Sequence, residues 1–277
     1  MICLAPAKIN LFLHVVGRRD DGYHLLQTVF RFLDFGDSLS IETRDDGRIT
    51  RVCANAELPD DDLCTRAARL LKTASGTRLG AHIELEKRLP IGGGLGGGSS
   101  DAASVLLCLN RLWGLDWSRE RLAVLAIQLG ADVPVFVFGR SAFAEGVGEV
   151  LTAIELEPAW YLVLTPPVAV ATASVFAAPE LTRNTIPVKI RDFSVRAGHN
   201  DLEPVVRRQY PIVAQYLDWL AGFGVARMSG SGSSVFAEFA TRGAAEAVFA
   251  QRPAGYDGFV ARGIDAHPFY TDASLGV

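Results

Sequence analysis

The chain lacks the residues that announce a metal centre, a secreted scaffold or a nucleic-acid surface. Its 277 residues include four cysteines, Cys3, Cys53, Cys64 and Cys108, and no two fall at the CxxC spacing of zinc or redox motifs. Dispersed in this way they read as reduced core residues of a cytoplasmic protein. Basic residues are not in excess: the net charge is −4, which argues against non-specific binding of nucleic acid through a cationic surface. A long uninterrupted apolar run is also missing. The most apolar window, residues 160–179, is broken by Pro166-Pro167, and Lys8 interrupts the first apolar stretch, so neither a membrane span nor a secretory leader is expected. Nor is there a Walker lysine: Gly98 stands before Ser99 where a P-loop needs lysine, and the nearest lysine, Lys87, lies upstream. No carboxylate pair marks a metal cage, so the metal ligands are left unknown. Hydrophobic residues at 49% and charged residues at 21% exclude a disordered chain and allow a substantial core.

What is abundant is glycine, concentrated in Pro90-Ile-Gly-Gly-Gly-Leu-Gly-Gly-Gly-Ser-Ser-Asp101. Residues 81–87 alternate in polarity before it and predict a strand. Ser99, Ser100 and Asp101 suit an N-cap or first helical turn, and Ala102, Leu106, Leu109 and Trp113 then recur on one helical face. Glycine lets the backbone approach a ligand closely, and a helix start adds unpaired N–H groups and a positive dipole end. The segment therefore predicts an anion cradle, best matched to a nucleotide polyphosphate. A flexible linker is the bland alternative, disfavoured between a strand and a capped helix. A dinucleotide fingerprint fits through Gly92, Gly94 and Gly97 and would require a parallel βαβ unit with an acidic residue about 20 positions on. Asp116 is near that distance but follows a helix.

Residues 7–17 read as a buried strand followed by an Asp20-Asp21-Gly22 turn. Residues 38–43 and 48–53 flank Asp45-Asp46-Gly47 as a candidate hairpin. Helices are predicted over 63–74 and 118–129, the latter capped by Ser118. A break at 129–134 leads through a short turn to 141–145. After about residue 156 the pattern resets: strands at 160–165, 235–239 and 258–266, helical pieces at 202–206, 212–222 and 244–251, and a second small-residue loop, Ser229-Gly-Ser-Gly-Ser-Ser234. Strands and helices mix without regular alternation, which predicts an α+β protein of two domains, 1–156 and 157–277. A nucleotide held between them would use both small-residue loops.

Three segments in this order, Ala5-Pro-Ala-Lys-Ile-Asn-Leu11, the glycine loop and the Ser229–234 loop, resemble the GHMP kinase superfamily. Asp21-Gly-Tyr-His24, Leu129-Gly-Ala-Asp-Val-Pro-Val135, Phe143-Ala-Glu-Gly-Val-Gly148 and Asn200-Asp-Leu-Glu203 narrow the resemblance to its branch acting on a cytidyl-linked methylerythritol. The resemblance implies a two-domain fold with ATP and substrate in the cleft between the domains. It also implies transfer of the ATP γ-phosphoryl group to the substrate's 2-hydroxyl, a step of non-mevalonate isoprenoid synthesis. By the same resemblance Asp132 is the base and Lys8 its partner, and Asn10 faces the acceptor hydroxyls. Tyr23, His24, Phe176 and, more loosely, Thr172 form the cytidine pocket. The triphosphate falls to Lys87, Pro90, Gly92, Gly93, Gly94, Leu95, Gly96, Gly97, Gly98, Ser99 and Ser100. Mg2+ is expected with ATP, held mostly by phosphate and water, with Ser100 or, more weakly, Glu145 contributing. Monomer and homodimer both remain open.

Each assignment has a plainer counterpart. Asp132 could be a turn residue, Lys8 an edge-strand lysine, Asn10 a polar strand position and Phe176 core. A mevalonate- or homoserine-type kinase would share the loops without the Asp-Gly-Tyr-His segment, and a non-catalytic sensor would lack Lys8 or Asp132. One departure stands out: Asp62 precedes Leu63 where the family usually has asparagine, and an ionised carboxylate accepts hydrogen bonds but cannot donate them.

Overall fold

The computed structural model describes residues 1–190 and 198–271. In chain order its strands are β1 (Ile2–Arg18), β2 (His24–Arg44), β3 (Ile49–Cys53), β4 (Gly80–Glu86), β5 (Ala142–Glu145), β6 (Val150–Ala153), β7 (Trp160–Leu164), β8 (Arg227–Met228), β9 (Val235–Phe239) and β10 (Gly258–Ile264). The helices are α1 (Leu63–Ser75), α2 (Gly97–Leu112), α3 (Arg119–Leu129), α4 (Val133–Phe138), α5 (Thr172–Ala177), α6 (Glu203–Gln209), α7 (Pro211–Ala221) and α8 (Arg242–Phe249). The strands run β3-β4-β2-β10-β7-β9-β8, with β1 and β5 also paired to β2 and β6 paired to β5.

All of these pairings are antiparallel except β3 with β4. A mostly antiparallel sheet is not a dinucleotide-binding βαβ fold, and that alternative falls. The expected hairpin over 38–53 is also corrected. The Asp45–Gly47 turn forms, but β4 lies between its two arms, antiparallel to β2 and parallel to β3. The turn chemistry is local; the partner that satisfies both ladders comes from about 30 residues downstream.

β1 is buried on both faces because helices and a second core cover it. Cys3 and Ala5 join the core around α2, while Ala7, Ile9 and Leu11 join a middle cluster with Tyr161 and Phe236. Leu13 and Val15 join the core of the C-terminal helices. Successive strand side chains point to opposite faces, so Lys8 and Asn10 face away from the middle cluster. α2 is buried around most of its circumference, packed by α1, α3 and α4, and its four predicted face residues are all in the core.

Candidate active site

Lys8 is 2% exposed, and a buried ammonium requires partners. Its Nζ lies 3.2 Å from Asp132 Oδ2 and donates to Asn10 Oδ1 at 2.7 Å and to the Gly94 carbonyl at 3.2 Å. Three distant segments thus meet at one cation. Asn10 is fixed in turn: its Nδ2 donates to Thr28 Oγ1 at 2.9 Å, and Thr28 donates to the Phe12 carbonyl. Asp132 ends the short 130–132 connection between α3 and α4, and Pro134, with φ preset for a helix, sits in the first turn of α4. Its carboxylate keeps 37% of its surface open, so one side faces Lys8 and the other the cleft.

The glycine segment forms a tight loop entering α2, with Gly92, Gly94 and Gly96 at positive φ. At Gly94 the requirement is steric as well. A Cβ there would lie 2.3 Å from the Ser229 carbonyl and 2.9 Å from that of Gly232. The second small-residue loop is therefore a brace. Ser229 Oγ donates to the Gly94 carbonyl at 2.9 Å, and Ser234 N donates to that of Gly93 at 3.0 Å. Asn200 holds the brace from behind, its Nδ2 donating to the carbonyls of Met228 and Gly230.

Lys87 does not point a free charge at the cleft. Its ammonium is tied to Asp37 and, at 2.8 Å, to Asp101. Burial works against its charge, but the two carboxylates more than offset this and raise its pKa, while burial pushes Asp101 up against the pull of Lys87. Asp62 caps α1 through Thr65 N at 2.9 Å and pairs with Arg51 Nε at 3.0 Å. The departure from asparagine thus carries its own counter-cation.

Lys8, Asn10, Pro90, Gly92, Gly93, Gly94, Gly96, Gly97, Gly98, Ser99, Asp132, Thr172 and Phe176 share one cleft of about 550 Å³, which Asp62 and Lys87 also line. Leu95 and Ser100 do not line it: both are buried, Leu95 accepting from Lys8 N at 2.9 Å. A second cavity of about 530 Å³ holds Tyr23 and His24. The two cavities share Leu26, Ala131, Val147, Thr172 and Phe176, and so form one groove. Tyr23 is 65% exposed. His24 lies against Phe176, ring centroids 5.0 Å apart, and its pKa is lowered by burial and by the Arg183 and Arg18 guanidinium groups. Thr172 Oγ1 is 2.7 Å from Ser231 Oγ. Sequence reasoning misses Thr28 and Arg183: Thr28 lies in a part of β2 read as no element, and Arg183 in an unpatterned segment. Among the described residues no group of three or more potential metal ligands is assembled, and no helix is long and apolar enough to cross a membrane.

Comparison with known proteins shows the family. Residues 62–140 match the N-terminal domain of the GHMP kinases and residues 189–258 their C-terminal domain. The chain belongs to the GHMP kinases, small-molecule kinases that use ATP, and has their two-domain α+β fold. A 4-diphosphocytidyl-2-C-methyl-D-erythritol kinase of Thiobacillus denitrificans is 63% identical, over 96% of either chain. One of Nitrosospira multiformis is 61% identical, covering 97% of this chain and 92% of its own. A crystal structure of a 4-(cytidine 5'-diphospho)-2C-methyl-D-erythritol kinase superimposes with a TM-score of 0.81 at 36% identity, over 95% of this chain and 99% of that one. A mevalonate kinase structure, at 15% identity and a TM-score of 0.74, shares the fold. The branch resemblance read from the motifs is borne out by these relatives.

Proposed function

We propose that the chain phosphorylates the 2-hydroxyl of 4-diphosphocytidyl-2-C-methyl-D-erythritol with ATP, as a step in isoprenoid precursor synthesis. The observation that carries this reading is the Lys8–Asp132 contact at the centre of one groove, with the glycine loop on one side and an aromatic pocket on the other. Phosphoryl transfer needs positioning, charge neutralisation and a proton acceptor. Asp132 takes the proton of the acceptor hydroxyl as its oxygen bonds to the γ-phosphorus and ADP departs. Lys8 holds Asp132 in place and neutralises charge building on the transferring group. Asn10 orients the acceptor. The backbone N–H groups of the glycine loop and Ser99 hold the phosphates, and Lys87 sets the loop's entry through Asp37 and Asp101. Tyr23, His24 and Phe176 hold the cytosine.

Mg2+ bound with ATP would neutralise phosphate charge. The Ser100 hydroxyl, expected to contribute, is fully buried and does not line the cleft, so phosphate oxygens and water would hold most of the ion. Glu145 is engaged by Gln27 Nε2 at 3.0 Å. In chain terms we place the domain boundary near residue 156, with β1 contributing to both cores.

The test is phosphorus NMR of the purified protein with Mg-ATP and the cytidyl substrate. A new phosphomonoester signal with matching ADP supports the reading. Transfer to mevalonate or homoserine instead would discard the cytidine pocket while leaving the family intact.

A further inference from the structure

The two walls of the second cavity come from different parts of the fold. His24 opens β2, and Phe176 sits in α5, a helix of six residues. So short a helix leaves most of its last carbonyls without intrahelical partners. One guanidinium reaches a carbonyl of its last turn and others just beyond its end. Arg183 Nη2 donates to the carbonyls of Phe176 at 3.1 Å and Ala178 at 2.7 Å, and Nη1 donates to those of Leu181 at 3.1 Å and Pro179 at 3.5 Å. Its remaining donor, Nε, points across the cavity wall to His24 Nε2 at 3.1 Å.

That last bond has a chemical consequence. Arginine is a donor only, so His24 Nε2 must be the acceptor, unprotonated, and the ring proton must sit on Nδ1. The geometry points to Arg183 as a positioning residue for base recognition: it clamps α5 to β2 and holds His24 as the neutral Nδ1–H tautomer, fixing one donor for a pyrimidine's acceptor edge. This rests on the proposed assignment of the cavity to cytosine. The charged groups facing His24 agree in sign. Arg183 comes from the segment after α5 and Arg18 from β1, and both disfavour imidazolium. Asp21, from the turn, lines the same cavity but is engaged by Arg19 at 2.7 Å.

The test combines nitrogen-15 NMR of the histidine rings in the full-length, substrate-free protein with kinetics of Arg183→Met and Arg183→Lys. In the unaltered protein His24 should show the Nδ1–H tautomer alone and titrate below the ordinary histidine value. In Arg183→Met it should become a tautomer mixture titrating nearer pH ~6.5, with KM for the cytidyl substrate raised about tenfold or more, increasingly so at low pH. KM for ATP should stay within about twofold. Arg183→Lys, which keeps the cation but not the fork, should fall between. A tautomer indifferent to Arg183→Met, or an equal rise in both KM values, would overturn the proposal. Adding cytidine 5'-diphosphate separates the two readings. A locked tautomer that this ligand does not perturb would leave the clamp standing but count against the cytosine assignment, and so against base positioning by Arg183.

Discussion

The two ends of the groove are built differently. At the glycine-loop end the functional groups are buried and redundantly tied: Lys8 has three partners, Asn10 is held by Thr28, and the loop is braced by Ser229 and Ser234. At the other end Tyr23 is mostly exposed, α5 has six residues, and Arg183 is its main bracket to β2. The contrast fits the proposed tasks. Charge stabilisation at a reacting phosphorus depends on donors already in place, since reorganising them would cost the energy they supply. A stacking pocket tolerates adjustment, because a base presents its face at many small offsets.

Substitutions at the two ends should therefore separate in kind. The largest effect is expected at the reacting end. Asp132→Asn should lower kcat by about 10²–10⁴, with the fold intact by circular dichroism; near-normal turnover would remove Asp132 as the base. Next comes the brace. Gly94→Ala should cost about 1–3 kcal/mol in denaturant unfolding through its positive φ and also raise KM for ATP, because the loops must part. Gly114 is also at positive φ, but a Cβ there would meet nothing within 4 Å. Gly114→Ala should lose stability without touching KM; equal KM effects would mean that loop contact is irrelevant.

At the recognition end Tyr23→Ala should raise KM for the cytidyl substrate by about tenfold, from a stacking contribution of about 1–3 kcal/mol, and leave ATP binding alone. Equal losses for both substrates would erase the division between the ends. The smallest effect near neutrality concerns acid. His267, packed against Phe32 and Phe136 behind α4, is pushed down to about 3 by burial. A histidine with a lowered folded-state pKa binds fewer protons folded than unfolded. Stability is then full above pH ~6.5 and falls as pH drops below it, by about 1.4 kcal/mol per pH unit until the folded-state pKa is reached. Unfolding midpoints at pH ~7.5, ~6 and ~5 should show this slope, reduced in His267→Gln; a flat profile would contradict it.

Much of the reacting end is legible in the sequence because its signals are local. Two-residue alternation puts Lys8 and Asn10 on one face of β1. Glycine before a helical pattern marks the loop, and Ser118 caps α3 through Arg121 N as its residue type predicts. The other end is less legible. α4 and α5 are too short for periodicity to register, and nothing about Arg183 in the sequence says that its guanidinium will reach back 159 residues to His24. The 38–53 hairpin fails for a related reason: a turn signal identifies the turn but not which strand pairs beyond it.

Residue type and short-range spacing encode the anion-binding loop and the strand carrying Lys8 and Asn10, and the resemblance of whole motifs supplied the family and the candidacy of Asp132. Folding, by contrast, spends Lys87 on Asp37 and Asp101, pairs Asp62 with Arg51, makes the second small-residue loop a brace for the first, and joins the walls of the pocket through Arg183. Each of those is a pairing of charge or hydrogen-bond donors between segments far apart in the chain, and such partners are chosen by packing, to which local sequence has no access.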